Sequence, residues 1–165
     1  LGRGRLSEQV RLAMLLGFGF LQGWSIGPLT GFLSVFNPDA LIMAVAGTML
    51  AFVSFTGAAL FSPRRSYLYL GGLLTFAGLI LLVTSFFPYL YDFNLYLGLF
   101  LLCFYIIYDT QMIVERSENR SMDSVDGAAQ LFTDLFGILV RLMLILRDRN
   151  GREDRQKSKK SKRNQ

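Results

Sequence analysis

The sequence predicts an all-α fold, a polytopic transmembrane helix bundle, and two observations carry that reading. From Leu12 to Tyr108 the only charged residues are Asp39, Arg64, Arg65 and Asp92, all near Pro38, Pro63 or Pro88, where turns are expected. Apolar residues make up 52% of the 165-residue chain and charged residues only 18%. A soluble bundle of this length needs a polar face on each helix, and none is present.

Five stretches are long enough to cross about 30 Å of hydrocarbon, which takes roughly 20 helical residues. They are 12–36, 40–62, 66–87, 93–114 and 127–146. Helices are forced on them because backbone polar groups left unpaired in lipid are costly. Residues 1–11 read as a polar loop and residues 147–165 as a disordered basic tail. The chain opens on Leu1 without a signal peptide, and an N-terminal truncation is expected.

The first span holds Gly19, Gly23, Gly27 and Gly31, four residues apart and therefore on one helix face. Such a groove lets helices approach closely, so these glycines are expected to serve packing, with a hinge near Pro28 or a pore lining as the alternative. Asn37-Pro38-Asp39 and Ser62-Pro63 end the first two spans and set up helical hairpins. Tyr67, Tyr69, Tyr89, Tyr91 and Tyr96 flank the third and fourth spans, as an interfacial aromatic belt does.

The tail from Arg147 to Gln165 holds nine bases and three acids. It follows an apolar helix directly, so it is read as a juxtamembrane segment near anionic lipid, not as a nucleic-acid binder. Orientation is in conflict. Arg64 and Arg65 mark their connector as cytoplasmic, yet a full fifth crossing then puts the basic tail on the other side. Either the last segment re-enters, or the tail is an exception. The sequon Asn119-Arg120-Ser121 falls on the cytoplasmic side and is expected to carry no glycan. The single Cys103 excludes an internal disulfide.

Acids within spans are expensive and mark function. Asp109 lies near the end of the fourth span and Asp134 near the start of the fifth. At 1.5 Å per residue they sit roughly 8 and 11 Å below the same surface, on neighbouring antiparallel helices. Two carboxylates in a poor dielectric do not both ionise cheaply, so the pair is expected to share one proton near neutral pH. Carboxylate oxygens also suit calcium, which makes the pair a candidate transient calcium site and proton-sensing gate: closed when protonated, conducting when ionised. Asp126, Gln130, Asp134 and Arg141 fall near one stripe of the fifth span and face the bundle interior as supporting residues. Arg141 lies some 10 Å along the helix from Asp134 and is expected to snorkel outward.

No soluble-enzyme constellation is present. There is no histidine, no cysteine pair and no phosphate-binding glycine loop. An intramembrane aspartyl protease needs paired carboxylates sharing a proton. Tyr108-Asp109-Thr110 and Thr133-Asp134-Leu135 lack the glycine that admits a substrate backbone, so neither catalysis nor a cofactor is expected.

Several segments resemble the Bax-inhibitor family, in its animal endoplasmic-reticulum branch. They are Phe20-Leu21-Gln22-Gly23-Trp24-Ser25-Ile26-Gly27-Pro28, residues 64–72, Asn94-Leu95-Tyr96-Leu97-Gly98, Tyr108-Asp109-Thr110-Gln111 and residues 131–146. The resemblance implies six or seven helices with the last acidic one central, two of the N-terminal spans being absent here. It implies suppression of apoptosis, a pH-sensitive calcium leak from the endoplasmic reticulum and restraint of stress signalling. Partners implied are calcium ions, protons, anti-apoptotic Bcl-type proteins and stress sensors, besides the lipid bilayer. The family's paired aspartates match Asp109 and Asp134. Animal members often carry another acid one turn before the second, where this chain has Gln130. Bacterial relatives latch the aspartates with a base on a span that this chain does not supply. A non-conducting protein acting through cell-death and stress partners is the alternative function.

Overall fold

In a computed structural model the chain is a bundle of five α-helices, described over residues 8–63, 69–118 and 124–163. No strand occurs among the described residues. Arg64, Arg65, Tyr67 and the sequon Asn119-Arg120-Ser121 lie outside them.

Helix α1 runs from Glu8 to Phe36 and continues through Pro28. It therefore takes in the last residues of the expected polar loop. Asn37 alone joins it to α2, Pro38–Phe61. The junction is locally determined: the Asn37 side chain accepts from the Ala40 N–H at 3.4 Å, Pro38 sits at the first helical position and Asp39 lies in the first turn. Each of these suits a helix N-terminus, with its unpaired N–H groups and positive end.

Helix α3 covers only Leu70–Thr84, 15 residues. That is about 22 Å, short of the bilayer core, where the sequence predicts a span over 66–87. Pro88 has no N–H with which to continue the helix, and polar side chains brace its last turn around Leu81 O. Asn94 Nδ2 donates to Leu81 O at 2.8 Å, Thr84 Oγ1 at 2.8 Å and Ser85 Oγ at 3.2 Å. A short 3₁₀ turn, Pro88–Leu90, then leads into α4, Tyr91–Glu118.

Helix α5 extends unbroken from Ser124 to Arg163, 40 residues or about 60 Å. Its portion Val125–Arg152 is unbroken, long enough and apolar enough to cross a membrane. The tail after Arg147 is helical and not the disordered segment expected. It contains no proline, its only glycine is Gly151, and lysine, arginine, glutamate and glutamine are good helix formers.

Helices α4 and α5 form the most extensive pairing, with α2 packed on both, α3 on α4 and α1 on α5 and α2. Leu33, Ala40, Ala44 and Met143 make one buried cluster, and Leu74, Leu81 and Leu101 another. Most other large apolar side chains face outward, Phe61, Trp24 and Phe20 among them. A soluble monomer does not tolerate such a surface, whereas lipid solvates it. Four helices are long and apolar enough to cross a membrane, and α3 is the shorter fifth. The protein is a multi-pass helical membrane protein.

Candidate functional site

Close contact between α4 and α5 rests on glycines that the sequence pattern does not single out. A Cβ at Gly137 would come within 3.0 Å of Leu102, and one at Gly98 within 2.1 Å of the Arg141 guanidinium carbon. In lipid, where apolar burial drives little, such close approach is what holds helices together. The same antiparallel register brings Asp109 on α4 opposite Asp134 on α5. Each is only 6% exposed, and their side chains lie within hydrogen-bonding reach of each other.

The surroundings fix Asp109. Thr110 and Gln111 beside it are buried too. Gln111 Nε2 donates to Ala59 O and Pro63 O, both at 3.4 Å, and so ties α4 to the end of α2, where helix carbonyls lack intrahelical donors. Asp134 is less satisfied. Its Oδ2 is buried without a hydrogen-bond partner among the described residues. A buried orphan oxygen calls for a proton or a ligand.

The pair opens into a groove of about 580 Å³. Asp126, Gln130 and Thr133 line it from α5, Tyr105 and Leu102 from α4, and Phe18 from α1. Asp126 is exposed at its mouth. Among the described residues no group of three or more histidine, cysteine or acidic side chains gathers as a metal cage. The arrangement offers two carboxylates, an amide and a hydroxyl. That set can exchange a proton or hold a hard cation briefly.

Asp109, Asp134, Gln130 and Asp126 are thus brought together, and Arg141 is not. Instead of snorkelling outward, Arg141 reaches across to α4, where Nη1 donates to Asn94 O at 2.9 Å. The cause is Gly98. Asn94 O is the helical acceptor one turn before Gly98, and with no Cβ there the carbonyl keeps a lone pair open to a neighbouring donor. The glycine stripe of α1 also differs from its expected packing role. A Cβ at Gly19 would meet the Phe132 ring at 3.7 Å, but one at Gly23, Gly27 or Gly31 would meet nothing within 4 Å. This face of α1 is turned away from the other described helices.

Tyr105 and Gln111 were not picked out by sequence reasoning. Tyr105 had a readable signal, lying four residues before Asp109 on the same face. Gln111 had a weaker one, as a polar side chain within a span.

The model of a family described as inhibitor of apoptosis-promoting Bax1 matches residues 3–151. The chain is 40% identical to human Bax inhibitor 1 over 160 residues, 93% of this chain and 67% of that protein. It is 38% identical to the rice Bax inhibitor 1 over 161 residues, 93% of this chain and 65% of the relative. The fruit-fly Bax inhibitor 1 is 38% identical over 153 residues, 89% of this chain and 62% of the relative. The chain therefore spans about two thirds of the length of these relatives. No solved structure matches it. With a family match over nearly its whole length and three relatives at this level of identity, the chain belongs to the Bax-inhibitor family.

Proposed function

We propose that this chain carries the gate of an apoptosis-restraining protein of the endoplasmic-reticulum membrane, through which a pH-sensitive calcium leak passes at Asp109 and Asp134. The observation that carries the reading is the pairing itself: two buried carboxylates on adjacent helices, one oxygen unsatisfied, beside an open groove. At low pH the shared proton bridges the carboxyls and holds α4 against α5. When it leaves, two like charges in a poor dielectric repel, and the stable outcomes are separation of the helices or capture of a cation. Arg116, Tyr105, Tyr108 and Asp126 are among the charged or titratable groups near the pair.

Calcium is cargo here. Its usual shell takes six to eight oxygens; two carboxylates with Gln130, Thr133 and water form a site loose enough to release it. Catalysis plays no part in this reading.

Asp134→Asn in the full-length protein in liposomes is expected to remove the pH dependence of calcium flux, whereas the unsubstituted protein conducts more as pH rises. Unchanged flux and unchanged pH profile would sink the gate. A second reading, a non-conducting protein acting through anti-apoptotic Bcl-type proteins and stress sensors, is supported by the exposed basic helix beyond Arg147. It predicts that removing this helix abolishes protection from cell death while flux persists.

A further inference from the structure

At the far end of the bundle from the aspartates, a cavity of about 720 Å³ opens between the second half of α1 and the part of α5 that follows Leu146. Its α1 wall is apolar, built from Pro28, Leu29, Phe32 and Phe36. The Phe32 and Phe36 rings lie 4.8 Å apart and both are exposed, so they form one continuous aromatic face. Its rim is charged, with Asp92 from α4 and Arg147, Asp148 and Arg152 from α5. Asn37 of the α1–α2 junction and Tyr91 after the 3₁₀ turn line it too, so the charges stand where the helices leave the bilayer. A hydrocarbon wall under a charged rim at that level has the polarity profile of a lipid molecule.

The charges narrow the class. Arg152 pairs with Asp92, and Arg147 Nε donates to Asp148 at 3.1 Å. With two cations and two anions, the rim has no net charge with which to select an anionic headgroup. Its internal arrangement is what selects. Arg147 is 39% exposed. Its bond to Asp148 engages Nε only, and the two Nη groups make no hydrogen bond among the described residues. They form a fork of donors suited to phosphate. Immediately beside it is the Asp148 carboxylate, which Tyr91 also approaches within hydrogen-bonding reach. A phosphate acceptor on one side therefore adjoins an ammonium acceptor on the other.

We infer that this cavity binds a phospholipid whose headgroup carries both a phosphate and a primary ammonium. The phosphate sits on the terminal amines of Arg147, the ammonium on Asp148, and one acyl chain along Leu29, Phe32 and Phe36. A glycerol headgroup lacks the cation. A choline headgroup has the cation but no N–H with which to bond the carboxylate. The basic helix beyond the rim attracts anionic lipid as well, but through an exposed field that salt screens, whereas contacts inside the cavity persist.

The test reconstitutes the full-length protein in bilayers of equal phosphatidylethanolamine, phosphatidylcholine and phosphatidylglycerol. It is then extracted in mild detergent at about 0.5 M salt, where exposed charges are screened within a few ångströms, and retained lipid is quantified by mass spectrometry. Phosphatidylethanolamine is expected to be enriched over both others. Arg147→Gln is expected to cut the amount of phosphatidylethanolamine retained about tenfold, the loss of one charge-assisted contact. Asp148→Asn is expected to erase the preference over phosphatidylcholine while phosphate binding remains, so it decides the matter even if Arg147→Gln folds poorly. Retention at bulk composition, as when another polypeptide segment fills the cavity, overturns the proposal. So does enrichment of phosphatidylglycerol, or an Arg147→Gln protein that retains as much phosphatidylethanolamine as the unsubstituted one.

Discussion

Arg141 lies inside a membrane span with no acid against it among the described residues, a position that is costly unless its donors are engaged. Gly98 supplies the solution by baring the Asn94 carbonyl, and the two residues should therefore behave as one unit. Gly98→Ala places a Cβ 2.1 Å from the guanidinium carbon and must displace it. The far end of an arginine moves easily, so the cost is the lost hydrogen bond and not a backbone clash. Destabilisation of about 2 kcal/mol is expected, the size of a hydrogen bond to a charged group. Thermal unfolding in detergent should show that most of this vanishes in an Arg141→Leu background, because the partner is already gone. Equal costs in both backgrounds would mean the two sites are independent. The acid pair was readable from spacing alone, since depth along two antiparallel helices is arithmetic. Arg141 was not, because its contact depends on which residue of α4 lacks a side chain at the crossing point.

At the level of elements, spacing identified which positions share a face but not which face meets a neighbour. Gly19, Gly23, Gly27 and Gly31 do lie on one side of α1, yet only Gly19 touches another described helix. The glycines used for packing, Gly98 and Gly137 in the α4–α5 pair, Gly71 against Tyr108 and Gly47 against Leu142, show no four-residue repeat. Two substitutions separate the classes. Gly23→Ala is expected to leave stability unchanged or raise it, because alanine favours helix by up to about 1 kcal/mol and a Cβ there has open space. Gly137→Ala crowds Leu102 at 3.0 Å and is expected to cost 1 kcal/mol or more, roughly the lower range for overpacking. Melting temperatures of the purified variants check both. If Gly23→Ala destabilises the full-length protein as much, a helix outside this chain packs on that face. Helix ends were legible where local chemistry sets them, as at Asn37-Pro38-Asp39. The Asn94 brace at the end of α3 was not, because it depends on a side chain reaching back from the next helix.

For the whole molecule, the unresolved conflict over orientation comes from how the bases are distributed. Of seventeen lysines and arginines, nine follow Leu146, Arg141 lies within α5, and the other seven, Arg3, Arg5, Arg11, Arg64, Arg65, Arg116 and Arg120, fall in or next to segments that the sequence assigns to the opposite surface. Nine against seven is too even for the positive-inside bias to decide the fifth crossing. The backbone favours a full crossing: helix α5 has neither a proline nor a break between Val125 and Arg152 at which to turn back. The cavity shared by Asn37, Tyr91 and Arg152 places the start of the basic helix beside the α1–α2 and α3–α4 turns. In a Cys103→Ser background, Tyr89→Cys and Gln156→Cys are therefore expected to react with a membrane-impermeant maleimide from the same side of sealed vesicles. Ser117→Cys, at the other end of α4, should react only from the opposite side. A Gln156→Cys label that follows Ser117→Cys would mean that the fifth segment turns back within the bilayer. The basic helix would then lie at the same surface as the aspartate groove and could act on the pair directly.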